Sequence, residues 1–168
     1  MSVVVSDTSP LHYLVLCEAT SILPVLFDSV LLPPAVWREL QHPHSPVAVR
    51  AWSNDLPPWV TVRAPSSVDS TLDVDEGERE AICLAREIGA MAILMDGRKG
   101  RLAAARCGLR VTGTLGLLEA ASARGLLNLP EVLSRLAGTN AHLDQDLVRE
   151  ILARAAARGI PREPGQTR

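Results

Sequence analysis

Two short apolar runs, each followed by an aspartate, constrain the fold of this chain more than any other feature. The first occupies residues 3–6 and precedes Asp7, and the second occupies residues 91–95 and precedes Asp96. A helix-like segment follows each aspartate. Short apolar runs of this kind are typical of buried strands, and a parallel sheet presents its functional groups at the carboxyl ends of its strands. The pattern therefore predicts an α/β fold in which the two carboxylates converge, as they do in sites for divalent metal ions.

Strand and helix patterns alternate along the rest of the chain. Strands are predicted at residues 3–6, 30–32, 59–62, 91–95 and 109–112. Helices are predicted at residues 11–17, 22–27, 35–40, 47–52, 77–88, 101–107, 115–124, 129–136 and 143–157. Such alternation implies a mainly parallel central sheet. The composition, 47% hydrophobic but only 3% aromatic, suits helices packed on that sheet through aliphatic side chains.

The length of 168 residues predicts one domain, residues 1–160, followed by a flexible polar tail at residues 161–168. No apolar run reaches the roughly 18 residues needed to cross a bilayer, so we expect a cytoplasmic protein without a membrane anchor. Cys17, Cys83 and Cys107 have apolar helical neighbours. This setting predicts buried thiols in a reducing compartment rather than a zinc site or a disulfide.

Charge is distributed unevenly, although the net charge is only −2. That small value excludes the global positive field of a histone-like nucleic-acid binder. Residues 69–80 nevertheless contain six acids and one base, whereas residues 98–110 contain five bases and no acid. An acidic cluster beside a basic face suits a metal-dependent phosphodiesterase.

Four acids occupy positions that an α/β fold can bring to one edge of its sheet. They are Asp7, Glu39, Glu78 and Asp96, each at a strand end or early in a helix that follows a strand or loop. Clustered carboxylates repel one another and are tolerated chiefly when a cation neutralises them. Their hard oxygen ligands favour Mg²⁺ or Mn²⁺.

The sequence around these acids resembles the PIN-domain family. The matching segments are VVSDTSPL around Asp7, PAVWREL containing Glu39, GEREAICLA beginning at Gly77, LMD ending at Asp96, and VTGTLG at residues 111–116. They occur in order from Ser2 to about Gly125. Within the family, the chain is most similar to prokaryotic toxins of the VapC type.

This resemblance implies a Rossmann-like three-layer α/β/α sandwich and a metal-dependent ribonuclease. It also implies a toxin restrained by a small antitoxin protein, and a homodimer. The implied metal ligands are Asp7, Glu39, Glu78 and Asp96. Glu78 has alternatives, because the neighbouring acids Asp75, Glu76 and Glu80 suit the same role. Many relatives also place another acid one or two positions after the fourth acid, whereas this chain has Gly97 and Arg98 there, which predicts weaker binding of a second metal ion.

Six further side chains are candidates for contacts with RNA or water. Hydroxyl groups of Thr8, Ser9 and Thr114 could orient water or phosphate by hydrogen bonds. Positive charges on Arg98, Lys99 and Arg101 could hold the RNA backbone.

Structural explanations compete with several of these assignments. Asp7 could simply cap the following helix, and Glu78 or Glu80 could complement the positive end of its own helix. Two other classes of protein also remain open. One is a PIN-like binding or regulatory module without nuclease activity, which Gly97 supports. The other is a receiver-type signalling domain, which this chain fits poorly because it has a single acid at the first strand and Lys99 as its only lysine.

Overall fold

The computed structural model describes residues 2–159. The flexible tail predicted at residues 161–168 lies outside the described residues. The description therefore covers the whole of the predicted α/β region, apart from Met1 and residue 160.

A five-stranded sheet forms the centre of the structure, and all of its strand pairs are parallel. The strands are β1 (Val3–Ser6), β2 (Ser29–Leu32), β3 (Val60–Val62), β4 (Ala92–Leu94) and β5 (Val111–Thr112). Their order across the sheet is β3-β2-β1-β4-β5. The chain thus adds β2 and β3 on one side of β1, and then β4 and β5 on its other side. Open α/β sheets bind ligands in the crevice at such a change of direction, which here lies between β1 and β4.

Helices cover both faces of the sheet. They are α1 (Thr8–Leu16), α2 (Leu23–Leu26), α3 (Pro34–Leu40), α4 (Val47–Asn54), α5 (Glu76–Ile88), α6 (Arg98–Arg106), α7 (Thr114–Ala123), α8 (Leu129–Ala137) and α9 (Gln145–Gly159), with a short 3-10 turn at Thr20–Ile22. Within residues 2–159 no single helix is long and apolar enough to span a membrane, although the bent pair Thr8–Leu16 and Thr20–Leu26 passes that test together by length and composition.

Alternating side chains of the central strands point into two separate cores. Val4 and Leu94 belong to the larger core, which also contains side chains from α1, α3, α7, α8 and α9. Val5 and Ile93 belong to the smaller core, against α5 and α6. This two-sided burial follows from the period of two along a strand. It confirms the predicted α/β sandwich.

Five helices begin earlier than the sequence pattern predicts. The difference is three residues for α1 and α6, which begin at Thr8 and Arg98 instead of positions 11 and 101, and one residue for α3, α5 and α7. The first turn of a helix needs no buried apolar face, so periodicity alone places its start too late. As a result, several of the predicted functional side chains lie in helical first turns at the carboxyl edge of the sheet.

Candidate active site

Asp7 lies at the end of the central strand β1 and is only 6% exposed. Its backbone N–H donates to the carbonyl of Leu94 at 2.8 Å, which fixes it beside β4. Although Asp7 is at the N-cap position of α1, its side chain accepts no N-cap hydrogen bond from the second or third residue of that helix. The carboxylate is therefore buried without the structural role that most often explains an aspartate at this position.

Burial raises the pKa of Asp7 from 3.8 to about 7. The backbone of Thr8 opposes this shift by a hydrogen bond, while the negative charges of Asp75, Glu78 and Glu39 add to it. A carboxyl group with this pKa is costly to ionise because water is largely excluded and the nearest charges are negative.

Glu39 faces Asp7 from helix α3. Its carboxylate accepts a hydrogen bond from the hydroxyl of Thr8, and its Oε1 atom lies 2.7 Å from where a Cβ on Gly77 would be. Desolvation raises the pKa of the Glu39 carboxyl, the Thr8 hydrogen bond lowers it, and the carboxylates of Asp75 and Glu76 raise it further. The glycine at position 77 thus leaves room for this carboxylate against the first turn of α5.

Glu78 occupies the first turn of α5 and points toward the start of α6. Its Oε1 atom lies 3.0 Å from the place of a Cβ on Gly97 and 2.6 Å from that of a Cβ on Gly100. Desolvation raises the pKa of Glu78, followed in size by the repulsion from Asp75. The glycine at position 97 therefore leaves room for the Glu78 carboxylate, which would have to shift slightly to accept a side chain there.

The other acids of the segment before and within α5 have distinct partners. Asp75 and Glu78 form a reciprocal capping box, in which Asp75 Oδ1 accepts from the backbone of Glu78 at 2.8 Å. Glu76 pairs with Arg38 on the surface at 3.0 Å. Glu80 accepts a hydrogen bond from the backbone of Ala35 at 2.9 Å. Among the alternatives to Glu78, Asp75 is the one whose negative charge contributes to the raised pKa of Asp7, and Glu76 and Glu80 have partners elsewhere.

Asp96 has a different environment, although it follows its strand in the same way as Asp7. Its Oδ1 accepts from the backbone N–H of Thr114 at 2.7 Å, and its Oδ2 accepts from the Thr114 hydroxyl at 2.6 Å. Asp96 thereby caps helix α7 from a loop 18 residues earlier in the chain. A carboxylate has about four acceptor positions, so two remain for another ligand.

The predicted basic and hydroxyl side chains are only partly available. Lys99 pairs with Asp73 at 2.9 Å on the surface. Arg101 donates to the backbone carbonyl of Met95 at 3.0 Å and lies beside Asp96. Arg98 is exposed in the first turn of α6. The structure thus places Arg101 beside Asp96, and it gives Lys99 a competing partner.

Five carboxylates at this edge of the sheet lack a positively charged partner. None of the ion pairs within residues 2–159 includes Asp7, Glu39, Asp75, Glu78 or Asp96. In the same part of the chain, no three His, Cys, Asp or Glu side chains are close enough together to hold a metal ion as they stand. The oxygen donors fit a hard cation such as Mg²⁺, which keeps several waters and usually takes only one or two carboxylates plus substrate phosphates.

Tyr13 is a neighbour of this site that the sequence alone did not single out. Burial raises the pKa of its hydroxyl, and the negative charge of Asp96 raises it further. Tyr13 lies one helical turn after Ser9 on α1, so the two side chains share a face of the helix. This spacing is the sequence pattern from which Tyr13 could have been predicted. The structure adds Tyr13 to the groups beside Asp96.

Comparison with known families places this geometry in a class. The family model DUF3368, described as a PIN domain, matches residues 3–157. This match covers most of the chain, so the chain belongs to the PIN-domain family. PIN domains are generally nucleases, which hydrolyse nucleic acids, and they generally use divalent metal ions. No curated protein matches the chain.

Proposed function

We propose that this protein is an Mg²⁺- or Mn²⁺-dependent endoribonuclease. We further propose that it is the toxin of a type II toxin–antitoxin system, that a small antitoxin protein restrains it, and that it works as a homodimer. The proposed catalytic and metal-binding residues are Asp7, Glu39, Glu78 and Asp96. The toxin assignment rests on the resemblance to VapC-type proteins, and the nuclease assignment rests on the family and the site.

One observation supports the nuclease assignment most directly. Asp7 is buried at the carboxyl end of the central strand, has a pKa raised to about 7, and has other carboxylates rather than a cation around it. Such an arrangement destabilises the fold at neutral pH, and perturbed groups of this kind cluster at functional sites. A bound cation would remove the penalty.

The chemistry divides between a bound ion and the protein's own groups. A divalent ion would polarise the scissile phosphate and activate a water molecule for in-line attack. Thr8 holds the Glu39 carboxylate in place through its hydroxyl, and Thr114 does the same for Asp96. Arg101, beside Asp96, would hold a phosphate of the RNA backbone, with Arg98 and Lys99 contributing charge farther out.

The test is cleavage of RNA by a preparation free of any antitoxin. We expect the parent protein to cut RNA in Mn²⁺ or Mg²⁺ and to leave it intact in EDTA. Asp7→Ala should lower the cleavage rate by roughly 100-fold or more, because charge neutralisation and water activation both depend on the bound ion. Glu76→Ala is the matched control, since Glu76 is an exposed acid at the start of α5 that pairs with Arg38 instead.

A PIN-like module that binds RNA without cutting it is the second candidate. Two observations favour it: Gly97 replaces an acid, and no three potential ligands are close enough together within residues 2–159. Intact RNA in every metal condition, with the parent and Asp7→Ala indistinguishable, would count against nuclease activity, and retention of RNA by the parent in a gel-shift assay would then establish this alternative. The toxin assignment is tested separately by co-expression with the adjacent reading frame, where a small protein should co-purify and suppress cleavage.

A further inference from the structure

A cleft of about 620 Å³ opens directly beside Asp96. The segment with the sequence VTGTLG (residues 111–116) and Ser9 line it, together with Leu147 and Ile151 of α9. Its volume is within the roughly 300–1,000 Å³ of small-ligand pockets. Because Asp96 and Thr114 also line it, the cleft is continuous with the candidate active site, and the leucine and isoleucine side chains form part of its wall.

Most acids that line this cleft are already neutralised or hydrogen-bonded within the protein. Glu119 accepts two hydrogen bonds from Arg154, at 2.5 and 3.0 Å. Asp144 accepts from the backbone N–H groups of Asp146 and Leu147 at the start of α9. The charge of Glu119 is therefore balanced by the Arg154 guanidinium, and the Asp144 carboxylate is engaged at the start of α9.

Two side chains at the mouth of the cleft have unused donors. The guanidinium of Arg101 forms no ion pair within residues 2–159 and uses one nitrogen for the Met95 carbonyl, which leaves further N–H donors for a phosphate. The Tyr13 ring lines the cleft, and among the described residues its hydroxyl has no hydrogen-bond partner. These groups match a flat aromatic ligand that also carries a phosphate. Its ring would pack on the apolar wall and the Tyr13 ring, its polar edge would bind the Tyr13 hydroxyl, and its phosphate would bind Arg101.

We propose that this cleft binds the base of one unpaired RNA nucleotide adjacent to the scissile phosphate, and so contributes to sequence preference. The proposal deepens the proposed ribonuclease function and rests on it. Unpaired bases are read by insertion against aromatic and apolar side chains, with hydrogen bonds to their edges. Continuity with Asp96 and Thr114 favours a nucleotide over a peptide, since the phosphate on the ribose of the inserted nucleotide would then lie at Arg101.

A pair of leucines provides the test. Leu147 lines the cleft and Leu126 lies outside it, and because each is 37% exposed, Leu126→Trp is a control matched to Leu147→Trp in exposure and in residue type. An RNA pool of random sequence is cleaved in Mn²⁺, and the products are sequenced to give base frequencies around the cut. We expect the parent to prefer particular bases at one flanking position. Leu147→Trp should weaken that preference by about fivefold or more, as expected for loss of a stacked base, while Leu126→Trp retains it.

A second measurement does not depend on cleavage. RNA containing 4-thiouridine is photocrosslinked to the full chain in EDTA, and crosslinked peptides are identified by mass spectrometry. We expect crosslinks at Tyr13 or residues 141–151, with a reduced yield in Leu147→Trp only. If no RNA is cut but these crosslinks form, the nuclease proposal fails and base binding stands.

Three results would overturn the base-binding proposal. One is cleavage with the same base preference in the parent and in Leu147→Trp. Another is crosslinking confined to surfaces outside the cleft. The third is a Leu147→Trp variant that keeps its RNA preference but no longer retains a co-purifying small protein, which would assign the cleft to a peptide.

Discussion

Asp7 and Asp96 occupy equivalent positions in the sequence, each just after a buried strand, but their carboxylates have opposite energetic roles. Asp7 is buried among negative charges, whereas Asp96 accepts two hydrogen bonds from Thr114. Removing the charge should therefore stabilise the protein at one position and destabilise it at the other. Each effect can be measured in EDTA, where no divalent ion contributes.

Asp7→Asn should stabilise the metal-free protein in a pH-dependent way. The unfolded chain ionises Asp7 near pH 3.8 and the folded chain near pH 7, so the parent's stability falls progressively as pH rises between these values and then stays level. The variant does not titrate there, and its advantage should grow to roughly 2–4 kcal/mol at pH 7. Urea unfolding at pH 4, 5.5 and 7 measures this difference. An advantage that is the same at all three pH values would contradict the buried, raised-pKa description.

Asp96→Ala should cost stability in the same buffer. Repulsion among the acids alone would predict a gain, but the variant loses both hydrogen bonds to Thr114 and leaves the start of α7 without its acceptor. The expected loss in the free energy of unfolding is about 1–3 kcal/mol. Asp96→Asn should lose less, because its amide oxygen can still accept one of the two bonds. Equal or greater stability of the alanine variant would show that repulsion dominates at this position.

At the scale of elements, the first turn of α5 packs against the one acid of α3, Glu39. Gly77 is a helical glycine, and in an open position its replacement by alanine stabilises a helix by up to about 1 kcal/mol. Here the new Cβ would meet Glu39 Oε1 at 2.7 Å, so the flexible carboxylate would have to move away from Thr8. The substitution should therefore displace the Glu39 carboxylate rather than destabilise helix α5.

Gly77→Ala should therefore fold with near-parental stability in EDTA but show a weaker stabilisation by Mn²⁺. The double variant Gly77→Ala/Glu39→Ala should recover the helical gain relative to Glu39→Ala alone, since the crowded carboxylate is gone. Thermal unfolding of the four proteins of this cycle, with and without Mn²⁺, separates the two effects. A Gly77→Ala variant with a full Mn²⁺ response would place Glu39 outside the metal site.

At the scale of the whole molecule, the acids come from separate elements and meet only in the folded state. A divalent ion that binds there prefers the folded over the unfolded chain, and at about 100 times its dissociation constant it adds about 2.7 kcal/mol. We expect Mn²⁺ or Mg²⁺ to raise the melting temperature of the parent and of Glu76→Ala, and to have no effect on Asp7→Asn. A metal-dependent shift that persists in Asp7→Asn would remove Asp7 from the ligands.

Local properties of the sequence determined most of the elements and the identity of the family. Apolar runs, helical periodicity and terminating residues predicted each strand and helix to within a few positions, because these preferences act over one or two turns. The ordered motifs around Asp7, Glu39, Glu78 and Asp96 predicted the PIN family, which the family comparison confirms. Sequence order was sufficient for that inference, since a family motif depends on residue types and spacing and not on contacts.

Only the tertiary structure decided how the acids differ from one another. The sheet order places β1 beside β4, and this pairing of distant strands buries Asp7 while Asp96 reaches Thr114. The same packing pairs Lys99 with Asp73 and forms the cleft beside Asp96. Burial, pKa and the availability of a charge depend on neighbours brought together across the chain, and a local pattern contains no information about which neighbours those are.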